Sequence, residues 1–82
     1  MKMNMFVTTQ SGSRYIFKME NGTLVFRYGT DEGVVVKMEN ALKIGSTISM
    51  DCKKKNLYGQ EDVEITHYNS AQIVEMTVSV QE

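Results

Sequence analysis

Residues 15–28 decide how this chain folds, and they read YIFKMENGTLVFRY with Asn21-Gly22 at the centre. An Asn-Gly pair readily takes the two positive-φ positions of a type I′ turn, whose twist suits two antiparallel strands. With Asn21-Gly22 as a two-residue loop, Glu20 pairs with Thr23 and the register of every later pair follows by counting outward. The stretch therefore predicts a self-contained β-hairpin on which the rest of the chain is organised.

One face of this predicted hairpin is apolar and aromatic. Successive side chains of a strand point to opposite faces, so residues of the same parity lie together. The face consists of Tyr15, Phe17, Met19, Leu24, Phe26 and Tyr28. Its two aromatic pairs lie directly opposite each other, and each is worth roughly 0.5–1 kcal/mol beyond simple burial. We expect this face to begin the hydrophobic core and not to form a catalytic site.

The remaining chain reads as further short strands separated by turns. Alternating stretches occupy residues 3–9, 34–38, 47–53, 63–68 and 73–80. In these stretches the predicted core-facing residues include Val34, Val36, Met38, Val74, Met76, Val78 and Val80. Residues 53–62 read as a projecting polar loop and Asn69-Ser70 as a turn. About seven short strands without a convincing amphipathic helix predict an all-β chain.

The most economical closure is one small antiparallel barrel that occupies residues 1–82, SH3-like or OB-like, with six to seven strands. Closing the sheet removes the unpaired edges that a seven-strand meander would present. A compact sandwich is the alternative.

Length and composition limit the function classes. A chain of 82 residues buries only about 60–65% of the surface that its unfolded form exposes, which predicts a homo-oligomer. Nine basic and ten acidic residues give a net charge of −1, which argues against a bulk electrostatic grip on duplex DNA. A single cysteine, together with no signal peptide and no long apolar run, predicts a reducing cytoplasm and no membrane span.

The inventory of reactive side chains is small. Cys52 cannot form an intramolecular disulfide, and one cysteine with one histidine, His67, cannot assemble a zinc site. Cys52 and His67 could form a nucleophile-base pair if their strands were adjacent. Burial in a strand or cross-strand pairing is enough, however, to explain the presence of both residues. We therefore predict no enzyme, no catalytic residue, no metal and no cofactor.

Six residues are candidates for binding a ligand: Arg14, Arg27, Lys43, Lys53, Tyr58 and Tyr68. The hairpin register puts both arginines on the outer face, where two guanidinium groups can clamp an anion. The lysines can attract phosphate or an acidic surface, and the tyrosine rings can stack on a base. For each of these the alternative is ordinary, namely solvated charge for the cations and packing for the rings.

A second apolar set falls on the nominally outward faces of the strands. Its members are Phe6, Ile16, Val25, Val35 and Ile73. Five such residues on a small barrel make a sizeable apolar surface, which predicts a subunit or partner interface.

Three segments resemble the layout of short β-barrel proteins of bacteriophage and other mobile elements. They are residues 8–15 (TTQSGSRY), which lead into the hairpin, the bend at residues 44–46 (IGS), and the closing residues 69–76 (NSAQIVEM). The resemblance implies a protein that acts by binding, with a role in countering host defence. Such a protein occupies a host defence protein or sequesters the nucleotide-derived signal that activates it.

The leading hypothesis is thus a phage-encoded, non-enzymatic binder in the host cytoplasm, with a nucleotide-derived small ligand or a host defence protein as its partner. A single-stranded nucleic-acid module is the first alternative, because small barrels place aromatic rings beside basic grooves, although the near-neutral charge counts against it. A virion or assembly component is the second alternative.

Overall fold

The computed structural model describes residues 2–55, 58–60 and 64–81. Its six strands are β1 (Lys2–Thr9), β2 (Arg14–Glu20), β3 (Thr23–Tyr28), β4 (Asp31–Met38), β5 (Thr47–Lys54) and β6 (Thr66–Gln81). Each strand pairs antiparallel with the next, and β6 pairs with β1 to close a barrel. The predicted all-β class and the single closed antiparallel barrel are confirmed, and the compact sandwich is excluded.

The hairpin between β2 and β3 has the predicted register. Glu20 pairs with Thr23, and the ladder continues to Ile16 opposite Arg27. Asn21 and Gly22 have φ values of 52° and 78°, so both occupy the left-handed region that the turn requires. Local turn chemistry alone therefore determined this element.

The predicted aromatic face lies in the core. Phe17 and Phe26 are fully buried, and the Tyr15 and Tyr28 rings stack with their centroids 4.3 Å apart. The inward residues of the other strands complete the core, with Met5 and Val7 from β1 and Ile48, Met50 and Cys52 from β5.

The last strand differs from the prediction in two ways. Residues 66–81 form one continuous strand, so Asn69-Ser70 is not a turn. A bulge at Val74, opposite the step between Thr8 and Thr9, also reverses the alternation. Ile73 consequently points into the core with 1% exposure, and Val74 is 51% exposed. The prediction that Ile73 faces outward is wrong because a barrel this small bends its strands sharply, and the extra residue of a bulge allows that bend.

A second bulge corrects the prediction for β4. The register with β5 shifts between Val35 and Lys37, leaving Val36 unpaired and 53% exposed. Val35 pairs with the buried Cys52 and packs against the core, so it is not an outward interface residue. Val34, predicted to face inward, pairs with Val25 on the outer face. As in β6, the bulge moves the apolar side chains to the opposite face.

Residues 56, 57, 61 and 62 of the predicted projecting loop lie outside the described residues, as does Val63, the first residue of the predicted strand 63–68. Within the described part of the chain, no helix is long and apolar enough to cross a membrane.

Candidate ligand cavity on the outer face

The outer face of β2, β3 and β4 carries two rows of side chains. Residues that pair directly across an antiparallel ladder lie on the same face of the sheet. One row runs through Ile16, Arg27 and Glu32, and the next runs through Lys18, Val25, Val34 and Lys53. The outer face therefore combines apolar side chains with charged ones, most of them cationic.

A cavity of about 180 Å³ opens on this face. It is lined by Ile16, Lys18, Val25, Phe26, Arg27, Glu32, Gly33 and Lys55. Ile16 and Val25 are half-buried and provide apolar surface, while Arg27 and Lys18 extend from the exposed positions beside them. The cavity thus combines an apolar wall with cationic groups that can reach an anion.

Gly33 brings the fourth strand close to the fifth at this site. A Cβ added to Gly33 would overlap the Lys53 carbonyl oxygen and lie 2.8 Å from the Lys54 Cα, so no side chain fits there. This close approach continues beyond β5, where the Lys55 N–H donates to the Glu32 carbonyl oxygen at 2.8 Å. The absence of a side chain at Gly33 therefore places Lys55 at the cavity.

The charge at the cavity is positive. Lys18, Arg27 and Lys55 contribute three cations, and among the described residues Glu32 is the one acidic residue that lines the cavity. In the part of the chain that the structure describes, none of these three cations has a carboxylate within ion-pairing distance. Their charges are therefore available to an anionic ligand, and Arg27 offers the planar fork that suits phosphate and carboxylate.

The structure brings together only part of the predicted ligand set. Arg27 lines the cavity, and Lys53 lies in the adjacent row, half-buried. Arg14 is exposed on the outer face of β2 and does not line the cavity. Lys43 is exposed on the connection between β4 and β5, and the Tyr58 side chain is 88% exposed. Arg27 is thus the one predicted ligand residue that the cavity includes.

Tyr68 is a packing residue, the alternative that the sequence allowed. Its ring makes edge contacts with Phe26 and Tyr28, at centroid distances of 5.1 and 6.4 Å. Its hydroxyl donates to Asp31 Oδ2 at 2.9 Å. Burial raises the pKa of Tyr68 well above its usual value, and the hydrogen bond to Asp31 raises it further. The ring is therefore held against the core and not presented for stacking on a base.

The five residues of the predicted apolar interface do not lie on one surface of the barrel. Phe6 is 47% exposed on β1, while Ile16 and Val25 belong to the cavity wall. Val35 and Ile73 face inward, as described above. An interface made of all five residues is consequently not available on this barrel.

The cavity also includes Lys18, Glu32, Gly33 and Lys55, which were not among the predicted ligand residues. The hairpin register is a signal that could have identified Lys18, because it puts Lys18 opposite Val25. Glu32, Gly33 and Lys55 depend on the pairing of β3 with β4 and of β4 with β5, which no local signal specified.

A second polar cluster lies on the outer face between β5 and β6. Asp51 Oδ1 lies 2.7 Å from His67 Nδ1, and His67 Nε2 lies 3.4 Å from Ser49 Oγ. Ser49 donates its hydroxyl hydrogen to Glu39 Oε2 at 3.1 Å. One ligand atom each from Glu39, Asp51 and His67 lies within 4.8 Å of the others, close enough to approach one metal ion.

These four side chains are linked to one another by hydrogen bonds. We therefore interpret the cluster as a structural network that joins β5, β6 and the residue after β4. Ser49 is buried and directs its hydroxyl hydrogen to Glu39. A serine nucleophile would instead have to donate that hydrogen to His67.

Cys52 lies apart from this cluster. It is buried in the core, whereas His67, the base that a nucleophile pair with Cys52 would need, is on the outer face. Burial raises the pKa of the Cys52 thiol to about 11, with Asp51 contributing. A neutral, enclosed thiol is a poor nucleophile, so the pair has neither the geometry nor the ionisation that such chemistry needs.

No protein-family model matches the chain, and comparisons with curated proteins and with solved structures find no significant match.

Proposed function

We propose that this protein is a non-enzymatic binder that sequesters a small nucleotide-derived anion in the outer-face cavity. In the role that the phage-like layout implies, it acts in the host cytoplasm and removes a signal of host antiviral defence. Masking a host defence protein with the same face is the second version of this role. The observation that carries the proposal is one cavity with an apolar wall and three cations, none of which forms an ion pair with another described residue.

The cavity fits the parts of a nucleotide in a specific way. Phosphate oxygens would bond to Arg27, Lys18 and Lys55, since charge-assisted hydrogen bonds to anions are the strongest available here. The flat base would lie against Ile16 and Val25. Glu32 would accept a hydrogen bond from a base amino group or a sugar hydroxyl, because an ionised carboxylate offers only acceptors.

The volume of the cavity limits the size of the ligand that it can enclose. Its volume of about 180 Å³ is below the roughly 300–1,000 Å³ common for sites that enclose drug-sized ligands. We therefore expect it to hold one nucleotide unit, with any remaining part of the ligand outside the cavity.

Calorimetry against a panel of cyclic and linear nucleotides tests the proposal. Arg27→Gln should weaken binding about 10- to 100-fold, since a hydrogen bond to a charged group is worth about 1.5–3 kcal/mol. Arg14→Gln is the matched control, because Arg14 is an exposed arginine of the same outer face outside the cavity. It should change affinity less than threefold.

Two results would reject sequestration at this site. The first is no heat of binding for any nucleotide at several hundred micromolar. The second is an equal loss of affinity in the Arg14 and Arg27 variants, which would indicate a diffuse charge effect.

A single-stranded nucleic-acid module is the second candidate function. It is favoured by the cations of the outer face and by Tyr58, whose exposed position would suit stacking on a base. Fluorescence anisotropy with short oligonucleotides at increasing salt distinguishes it, because backbone contacts give affinity that falls steeply with salt. Binding without that dependence, or no binding, would eliminate this candidate.

A further inference from the structure

The second half of β6 has one edge without a partner strand. β5 pairs with β6 only as far as Thr47 opposite Gln72, and β1 pairs with β6 from Ile73 to Gln81. On the β5 side, the Ile73 N–H donates to the Ser46 carbonyl oxygen and the Gly45 N–H donates to the Ile73 carbonyl oxygen. Within residues 2–55, 58–60 and 64–81, no backbone hydrogen bond continues along this side past Ile73. Within residues 74–81, every second residue points its N–H and C=O groups toward β1, and the residues between them therefore present unpaired backbone donors and acceptors on the open side.

This edge lacks the usual features that prevent strand addition. Exposed edges are normally protected by lysine, proline or inward-pointing charge. Residues 74–81 read VEMTVSVQ, which contains no lysine and no proline, and Glu75 is the one charged residue. The bulge at Val74 lies at the start of the segment and leaves the following residues regular. At about 3.4 Å per residue, the edge is roughly 27 Å long.

An apolar strip adjoins the edge. Val78 pairs with Met5 and Val80 pairs with Met3, so both valines lie on the face that forms the core inside the barrel. Past the closure of the barrel that face is open, and the two valines are 50% and 54% exposed. A strand added at this edge would therefore gain backbone hydrogen bonds and cover apolar side chains at once.

We propose that the occupant of this edge is a second copy of the chain, paired antiparallel through residues 75–81 about a two-fold axis. A two-fold axis places the same donors and acceptors on both sides, so an edge of this kind is complementary to itself. Charge allows the pairing as well. With the axis at Val78, Met76 of one copy faces Val80 of the other and Glu75 faces Gln81, so the two Glu75 carboxylates stay apart.

The resulting dimer has one continuous sheet that runs through both barrels. It covers Val78 and Val80 of each copy, which adds buried apolar surface to a small core. The outer-face cavity of β2, β3 and β4 is not part of this edge, so the inference does not depend on the proposed function.

Sedimentation equilibrium between 1 and 200 μM, at neutral pH, tests the pairing. The wild-type chain should behave as a dimer, with twice the 9.3 kDa mass of the chain. Val78→Lys should weaken the dimer at least 100-fold, because the substitution places two like charges at the axis. Val36→Lys is the matched control, since Val36 is a 53% exposed valine on the bulge of β4, away from β6. It should leave the dimer intact.

Amide hydrogen exchange locates the contact. Exchange of those amides in residues 74–81 that point away from β1 should be slow in the wild-type dimer and at least tenfold faster in folded Val78→Lys, whose circular dichroism should match that of the wild type. The amides of the same segment that donate to β1 should exchange at similar rates in both proteins. A wild-type monomer at 200 μM would overturn the proposal. Equal dissociation of both lysine variants would also overturn it, as would a dimer in which the amides of residues 74–81 that point away from β1 exchange freely.

Discussion

Ile73 and Val74 are adjacent residues of β6 that lie in opposite environments. Ile73 is 1% exposed in the core, and Val74 is 51% exposed on the bulge. A regular alternation starting from Val78 and Val80 would have assigned them the other way round. One extra residue in a strand reverses the parity of every position before it. Comparing the stability of alanine variants at these two positions therefore tests whether the bulge is present.

Ile73→Ala should lower the free energy of unfolding by about 2–5 kcal/mol, because it leaves a cavity among buried side chains. Val74→Ala should lower it by less than about 1 kcal/mol, since half of that side chain is already in water. Urea unfolding followed by far-ultraviolet circular dichroism measures both. Ile73→Val, expected to cost about 0.5–1.5 kcal/mol, provides a measurable value if the alanine variant does not fold. A larger cost for Val74→Ala than for Ile73→Ala would contradict the bulge.

At the scale of the element, the β2–β3 hairpin is the part of the fold that local chemistry specifies. Its turn uses a φ of 52° at Asn21 and of 78° at Gly22, which asparagine and glycine tolerate and β-branched residues do not. The ladder then places Phe17 opposite Phe26 inside and Lys18 opposite Val25 outside. The register that follows from this one turn therefore positions both a central pair of core residues and two of the residues that line the cavity.

Gly22→Val should destabilise the protein by about 1–2 kcal/mol, because a β-branched side chain is strained at that positive φ. No atom lies within 4 Å of the Cβ position at Gly22, so backbone strain and not a clash accounts for the expected effect. Asn21→Gly is the control and should change stability by less than about 0.5 kcal/mol, since glycine adopts the same φ freely. Thermal unfolding compares the three proteins. Equal stability of the valine variant and the wild type would show that the turn is not held in this conformation.

At the scale of the whole molecule, the nearly neutral barrel carries one local group of cations and one local group of carboxylates. The cations Lys18, Arg27 and Lys55 surround the cavity on one side. The carboxylates of Glu39 and Asp51 meet His67 on another. A net charge of −1 does not reveal these two groups, which is why composition alone did not indicate the cations at the cavity.

The titrating groups of the core predict how stability depends on pH. Burial raises the pKa of Tyr15, of Cys52 to about 11, and of Tyr68, each above the value expected in the unfolded chain. The unfolded chain therefore releases these protons first as pH rises, beginning near 9 for the thiol, and unfolding becomes progressively easier. The contribution of these three groups to the free energy of unfolding should be constant below pH 9 and should decline from pH 9 to above 11.

Urea unfolding at pH 8, 9, 10 and 11 measures this decline. Tyr68→Phe removes one of the three groups, so its stability should fall less steeply above pH 10 than that of the wild type. The comparison uses changes relative to pH 8 within each protein, because the variant also loses the hydrogen bond to Asp31 at every pH. A wild-type stability that stays flat to pH 11 would be inconsistent with neutral, buried side chains.

The sequence by itself determined the features that depend on near neighbours. Asn21-Gly22 set the turn, strand alternation identified the aromatic face of the hairpin, and the register put Arg27, Ile16 and Val25 together on its outer side. These features rest on backbone torsions and on a two-residue period, which a short stretch of chain specifies without the rest of the fold.

Only the tertiary structure decided the inward position of Val35 and Ile73, the approach of Lys55 to the cavity, and the open edge of β6. Each of these depends on where a strand bulges or ends so that six strands can close into one barrel. Closure is a condition on the whole sheet, so no local pattern of residues contains it.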